Sequence, residues 1–244
     1  MPLVTSRWVR TAHADAWQVL GVLATLQLPG VRLMATGLQH AQWNDGDVDD
    51  PALVDIDAVR DWYDGLRVPW GLRLPAAAPW PHGRRLFTKR LMGLTPAAYQ
   101  APAVPPGVTI RQATATDIEP YLHVDSTAFE EEPHVQRPWL ELLLRHPNAT
   151  VAVAEMDGDI VASGQIVRSD DQAGPAAYVG GIAVLPDARR RGIGAAITGW
   201  LVERGWDAGA ALAHLHPDTD HAAAIYQRLG FVEVDGFDVY LPIS

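Results

Sequence analysis

The run Arg189-Arg190-Arg191-Gly192-Ile193-Gly194-Ala195-Ala196 decides how this chain is read. It follows Val179-Gly180-Gly181-Ile182-Ala183-Val184-Leu185-Pro186, an apolar stretch with strand character, and opens a helix-patterned segment from Ile193 to Arg204. A strand, a glycine-pinched turn and a helix N-terminus in that order aim free backbone N–H groups at one point. The helix dipole adds about half a positive charge there. Glycine suits such a turn because a Cβ would hold an anion off the backbone. The loop therefore reads as a cradle for a diphosphate, with arginine side chains within reach for charge-assisted bonds. It has neither the three spaced glycines of a dinucleotide fingerprint nor the Lys-Ser/Thr pair of a P-loop.

Downstream comes Ala223-Ala224-Ile225-Tyr226-Gln227-Arg228-Leu229-Gly230-Phe231-Val232-Glu233. Here an Ala-rich helix ends at a glycine suited to the left-handed C′ position, and a strand starts at once. The pattern Arg189-x-x-Gly192-x-Gly194 resembles the acetyl-CoA loop of the GNAT N-acetyltransferase superfamily. Ala223 to Phe231 is similar to that superfamily's Ala-x-x-Leu-Tyr-x-x-Leu-Gly-Phe signature, with Ile225 in the Leu position. The resemblance implies an α/β fold with a mixed sheet and helices on both faces, and acetyl-CoA as cosubstrate. It also implies that Arg189, Arg190, Arg191, Gly192, Ile193, Gly194 and Ala195 hold the diphosphate.

Composition bounds the rest. At 244 residues the chain is long enough for one large domain or two ordinary ones. No apolar run reaches membrane-spanning length, and the N-terminus lacks a basic segment followed by an apolar one, so a cytoplasmic protein is expected. With no cysteine there is no disulfide, thiolate metal site or Cys nucleophile. His214-x-His216 share a strand face but lack a third ligand, so no metal is expected. A net charge of −10 disfavours nucleic acid as a partner and favours a cationic acceptor such as an amine.

A boundary falls at Ala97 to Gly107, where Pro102, Pro105, Pro106 and Gly107 suit an extended linker. The expected division is a first unit over 1–96, a linker over 97–106 and the motif-bearing domain over 107–244. In the latter the pattern gives strand, helices to about Arg145, a hairpin turning at Asp157-Gly158-Asp159, strand Ala177 to Val184, the loop and its helix. Strand Ala210 to His216, helix Asp220 to Leu229 and two final strands follow. In the first hundred residues, Ala12 to Leu26 and Pro51 to Leu66 read as helices. Strands are expected at Val31 to Ala35, Pro69 to Leu74 and Arg85 to Leu91. There is no second phosphate loop and no internal repeat in the sequence. Tandem members of the superfamily with a degenerate first half exist, and the resemblance extends to that arrangement; an unrelated α/β cap is the other reading.

Acyl transfer from a thioester to an amine needs a bound donor, a polarised carbonyl, a neutral amine and a protonated leaving thiolate. The strand Ile182-Ala183-Val184 is placed to pair its backbone with the pantetheine amides and to offer an N–H to the thioester oxygen. Tyr226 stands where the superfamily's motif protonates the departing sulfur. The base stays open between Glu131, in the acidic Glu130-Glu131-Glu132 cluster, and His216, with His214 beside it. The strand from Val179 to Ala183 has no carboxylate where some members carry a catalytic Glu. Trp62, Trp70 and Trp80 read as core, whereas Trp139 is a candidate pocket wall. The expected activity is acetyl transfer to a primary amine of a small molecule by direct attack in a ternary complex, by a monomer or homodimer. The alternatives are a protein lysine or N-terminal acetyltransferase, and a CoA-binding sensor without catalysis.

Overall fold

The computed structural model describes residues 3–243. The chain opens with α1 (Ser6–Leu20), capped by Thr5, whose side chain accepts a hydrogen bond from Trp8 N at 3.2 Å. Val9, Ala12, Ala16 and Leu20 recur every three or four residues and bury as one stripe. The hairpin β1 (Ala24–Leu28) and β2 (Val31–Ala35) follows, then β3 (Asp45–Val48), α2 (Ile56–Leu66), β4 (Gly71–Pro75) and β5 (Gly83–Leu94). Next come β6 (Val108–Gln112), α3 (Ile118–Phe129), α4 (Pro133–Arg145), β7 (Ala149–Met156), β8 (Asp159–Asp171) and β9 (Gly174–Val184). The chain finishes with α5 (Ile193–Asp207), β10 (Leu212–Leu215), α6 (Asp220–Arg228) and β11 (Val232–Pro242).

Three elements differ from the sequence reading. The first helix begins at Ser6 and stops at Leu20, and Ala24 to Leu28 form an alternately exposed strand rather than a helix tail. The segment Asp45-Gly46-Asp47-Val48 is a strand although Asp and Gly are poor strand formers. Both aspartates pair with Arg73 on β4, so an ion-pair network holds it there. The two expected C-terminal strands are one, β11, whose register with β5 shifts between Val234 and Phe237 and again between Val239 and Tyr240. Gly236 sits in the first shift because a Cβ would lie 1.8 Å from the Lys89 carbonyl oxygen.

All strands belong to one mixed sheet in the order β1-β2-β3-β4-β11-β5-β10-β9-β8-β7-β6. The halves are interleaved at its centre: β5 of the first half lies between β10 and β11, and β11 of the second lies between β4 and β5. The two sides mirror each other. β3 and β4 are parallel with α2 as crossover, and β9 and β10 are parallel with α5 as crossover. Each crossover pair is then flanked by the other half's last strand, antiparallel. Along β7, Val151 and Val153 face the cluster of α1, α3 and α4, whereas Ala152 and Ala154 face that of α5. Helices therefore cover both faces.

The segment between the halves is extended but anchored. Gln100 N donates to Leu229 O at 3.0 Å, and the Tyr99 hydroxyl donates to Glu203 at 3.1 Å. Pro102 lies so close to Gly199 of α5 that a Cβ there would sit 2.6 Å from its ring.

Candidate active site

β9 positions the site by leaving its neighbours. Its parallel pairing with β10 ends at Tyr178↔His214, yet the strand continues to Val184. On its other side the register with β8 shifts between Ser163↔Ala183 and Gln165↔Gly180. Gly181 takes φ +60 in that bulge, a conformation that favours glycine. Past the bulge, Ile182, Ala183 and Val184 line a groove of about 700 Å³, open between β9 and the α6 side.

The same groove is lined by Arg189, Arg190, Gly192, Ile193, Gly194, Ala195 and Tyr226, which the fold thus brings together. Gly192 is the N-cap of α5 at φ +85, and no side chain caps this helix. Its first N–H groups are left for a ligand, as an anion site requires. A Cβ on Gly194 would meet only Val184 Cγ2, at 3.6 Å, so the loop's close face is clear. Arg189 Nε donates to Val184 O at 3.0 Å and closes the loop onto the strand end. The side chain of Arg191 turns away to Met156 Sδ, 3.4 Å off, and does not line the groove. Arg228, which the sequence reading passed over, does.

Tyr226 is 9% exposed and packs edge-on against Phe231. Burial and then the charge of Asp218 raise its proton affinity, so the phenol stays protonated at neutral pH. This is the state a proton donor needs.

A second cavity of about 210 Å³ opens on the other side of the bulge, with Gly181 in its wall. Phe129, at the end of α3, borders both spaces. The two halves wall this cavity together: Trp17, Asp45, Arg73 and Lys89 come from the first, Tyr121, Asp125, Glu131, Trp139, Tyr178 and His216 from the second. Trp139 stacks between Trp17 (5.6 Å) and Trp43 (5.5 Å), and the Arg73 guanidinium covers Trp17 at 4.4 Å. Those ring faces are occupied by one another, so the stack joins the halves rather than forming an open cage for a cation.

Both proposed bases reach this cavity. Glu131 is exposed and accepts a hydrogen bond from Gln136. His216 accepts or donates at Nε2 to the Tyr178 hydroxyl, 2.7 Å away. Burial, then Lys89, lowers its proton affinity to about 4. His214 is a core residue instead: it is fully buried, outside the cavity wall, and burial with the neighbouring His216 pushes its pKa down to about 3. Burial raises both Asp45 and Asp125 to about 7, against Arg73 for Asp45 and together with Glu131 for Asp125. Among the described residues no cluster of His, Cys, Asp or Glu is arranged to hold a metal, and no helix is long and apolar enough to cross a membrane.

With this geometry in view, comparisons with known proteins converge. Residues 113–231 match the profile of the Acetyltransferase (GNAT) family. A mycothiol acetyltransferase of Paenarthrobacter aurescens (strain TC1) is 28% identical over 174 residues, covering 66% of this chain and 53% of that protein. The chain thus spans about half the length of this curated relative. A GCN5-related N-acetyltransferase from Kribbella flavida superposes with a TM-score of 0.75 at 20% identity, over 99% of this chain and 97% of the other. A putative GNAT-family acetyltransferase from Novosphingobium aromaticivorans DSM 12444 gives 0.65 at 17%, over 96% and 99%. At such identities these two carry the fold alone. Residues 113–231, the part of the chain that holds the groove, thus carry the pattern of the GNAT acetyltransferase family.

Proposed function

We propose that this protein transfers an acetyl group from acetyl-CoA to a primary amine of a small molecule, which attacks the thioester directly in a ternary complex. The observation that carries this reading is the meeting of two spaces at one bulged strand. The groove with the uncapped helix offers a diphosphate site and a free strand edge for a pantetheine arm. The acidic, aromatic cavity begins on the other side of Gly181. Ile182, Ala183 and Val184 would take the arm, and the amides from Gly192 to Ala195 with Arg189 and Arg190 would take the diphosphate. When bound, acetyl-CoA supplies an activated acyl carbon. The chain supplies alignment, an N–H near the bulge for the carbonyl oxygen, and Tyr226 as proton donor to the sulfur.

A cavity walled by both halves favours a small acceptor over a protein tail. The matched relative's name, mycothiol acetyltransferase, points the same way.

The first half reads as a reduced GNAT-like counterpart that builds the acceptor side. Its crossover β3–α2–β4 mirrors β9–α5–β10, but α2 is capped by Asp55, whose carboxylate accepts from Asp57 N and Ala58 N. Asp49 and Asp50 lie in the loop between β3 and α2, where the loop between β9 and α5 has arginines. Carboxylates that use up the helix N–H groups would repel a diphosphate, so a single donor site in the second half is expected.

The test is amine-dependent release of free thiol from acetyl-CoA across a panel of spermidine, glucosamine and tyramine, with the acetylated product identified by mass spectrometry. Tight acetyl-CoA binding without release for any primary amine would favour a sensor.

A further inference from the structure

Resting on that reading, we propose that Asp125 is the general base, taking a proton from the acceptor's ammonium inside the inter-half cavity. Neither the Glu131 nor the His216 assignment includes it. Tyr121 and Asp125 lie four apart on α3 and share the face turned to the cavity. Tyr121 marks where that face meets the bulge. Its hydroxyl is 3.2 Å from Gln165 Oε1 and 3.5 Å from where a Gly181 Cβ would be. Asp125 is one turn further along α3, 7% exposed, and accepts no hydrogen bond from any described side chain. A carboxylate buried without a partner costs several kcal/mol unless it is protonated or meets a cation. The cavity is where that cation would stand.

The charges around it single out this residue. Asp45 and Asp47 share the guanidinium of Arg73, and Asp218 pairs with Lys89. Burial keeps His13 and His216 uncharged, and Tyr121 and Tyr178 keep their protons. Asp125 and Glu131 remain without a cation, and Glu131 lies exposed at the mouth while Asp125 lies inside. Burial and Glu131 raise Asp125 to about 7, so at neutral pH it is divided between the acid and the carboxylate that can take a proton.

Asp125 takes one proton from the ammonium and later passes it to solvent, leaving a neutral amine. The amine's lone pair forms the N–C bond to the thioester carbon, and the C–S bond breaks. The sulfur takes the proton of Tyr226, and the second proton of the nitrogen passes through solvent to the Tyr226 phenolate and restores the phenol. Donor and acceptor together release one proton.

The experiment compares full-length wild type with Asp125→Asn and Asp125→Glu, using whichever panel amine wild type acetylates. Asp125→Asn should lose at least about 100-fold in kcat. The acidic limb of its pH–rate profile, with a midpoint near 7 in wild type, should vanish, and its Kd for acetyl-CoA should stay within threefold. Asp125→Glu should restore part of the rate and the limb. An Asn variant with wild-type kcat and an intact limb overturns the proposal, as does one that raises only the amine KM. If wild type binds acetyl-CoA but acetylates no amine, the acetyltransferase reading fails, and the base assignment falls with it. The two failures are thus told apart by the wild-type arm.

Discussion

The Tyr178 hydroxyl lies 2.7 Å from His216 Nε2, and this bond ties β9 to the exit of β10 just beyond their last backbone pair, Tyr178↔His214. Two diverging strands are thereby held at a fixed opening between the donor groove and the acceptor cavity. Tyr178 is 4% exposed and His216 half-buried, so the bond is partly shielded from solvent. Tyr178→Phe leaves His216 Nε2 without its partner. Stability should fall by about 1–3 kcal/mol, read as a lower urea midpoint at unchanged slope. An unchanged midpoint would mean that the bond does not hold the strands.

The buried titratable groups pull pH stability in opposite directions. His13, His214 and His216 have pKa values pushed below the ordinary 6.5 by burial, so below 6.5 unfolding takes up protons and stability falls with falling pH. Asp45 and Asp125 are raised to about 7, so between there and the ordinary value near 4 unfolding releases protons and stability rises with falling pH. His214→Leu should therefore make the dependence between pH 6 and 4 less destabilising on acidification, by about 1.4 kcal/mol per pH unit. Asp125→Asn should make it more so. Urea unfolding at a series of pH values reads both slopes, and a slope unmoved by His214→Leu would show that this ring does not titrate on unfolding.

At Gly194 folding and binding separate cleanly. Its Cβ position is free apart from ordinary contact with Val184, and alanine favours a helix, so Gly194→Ala should fold at least as well as wild type. A methyl group there would stand between a diphosphate and the amides. Acetyl-CoA affinity should fall at least about tenfold by titration calorimetry, equivalent to about 1.4 kcal/mol. Wild-type affinity in a folded Gly194→Ala protein would place the diphosphate elsewhere.

The interleaved sheet makes the halves interdependent. Removing residues 1–106 strips β5 from between β10 and β11 and leaves both strands with unpaired backbone groups at the sheet's centre. Residues 107–244 alone should be unfolded or insoluble, and co-expression with 1–106 should restore a folded complex. A soluble, cooperatively folded 107–244 fragment would contradict this.

The donor side was legible because it is local. Strand, turn, glycines and helix start lie within Val179 to Ala196, and that local order is readable from neighbours in sequence. The Ala223 to Phe231 helix end was readable for the same reason. The acceptor cavity was not, because Trp17, Asp45, Arg73, Asp125 and Tyr178 come from five different elements and meet only when β5 and β11 exchange places. Asp45 was further hidden by a strand that composition disfavours and an arginine on β4 holds in place. Trp139 was legible as a cavity wall, but its stacking between two tryptophans of the other half was not.

The most direct measurement is a crystal structure of the full chain with CoA bound. The account places the diphosphate over the amides of Gly192 to Ala195, the arm beside Ile182 to Val184, and the thiol between Tyr226 and the cavity that holds Asp125. A diphosphate at the start of α2, or an arm that does not run along β9, would contradict it.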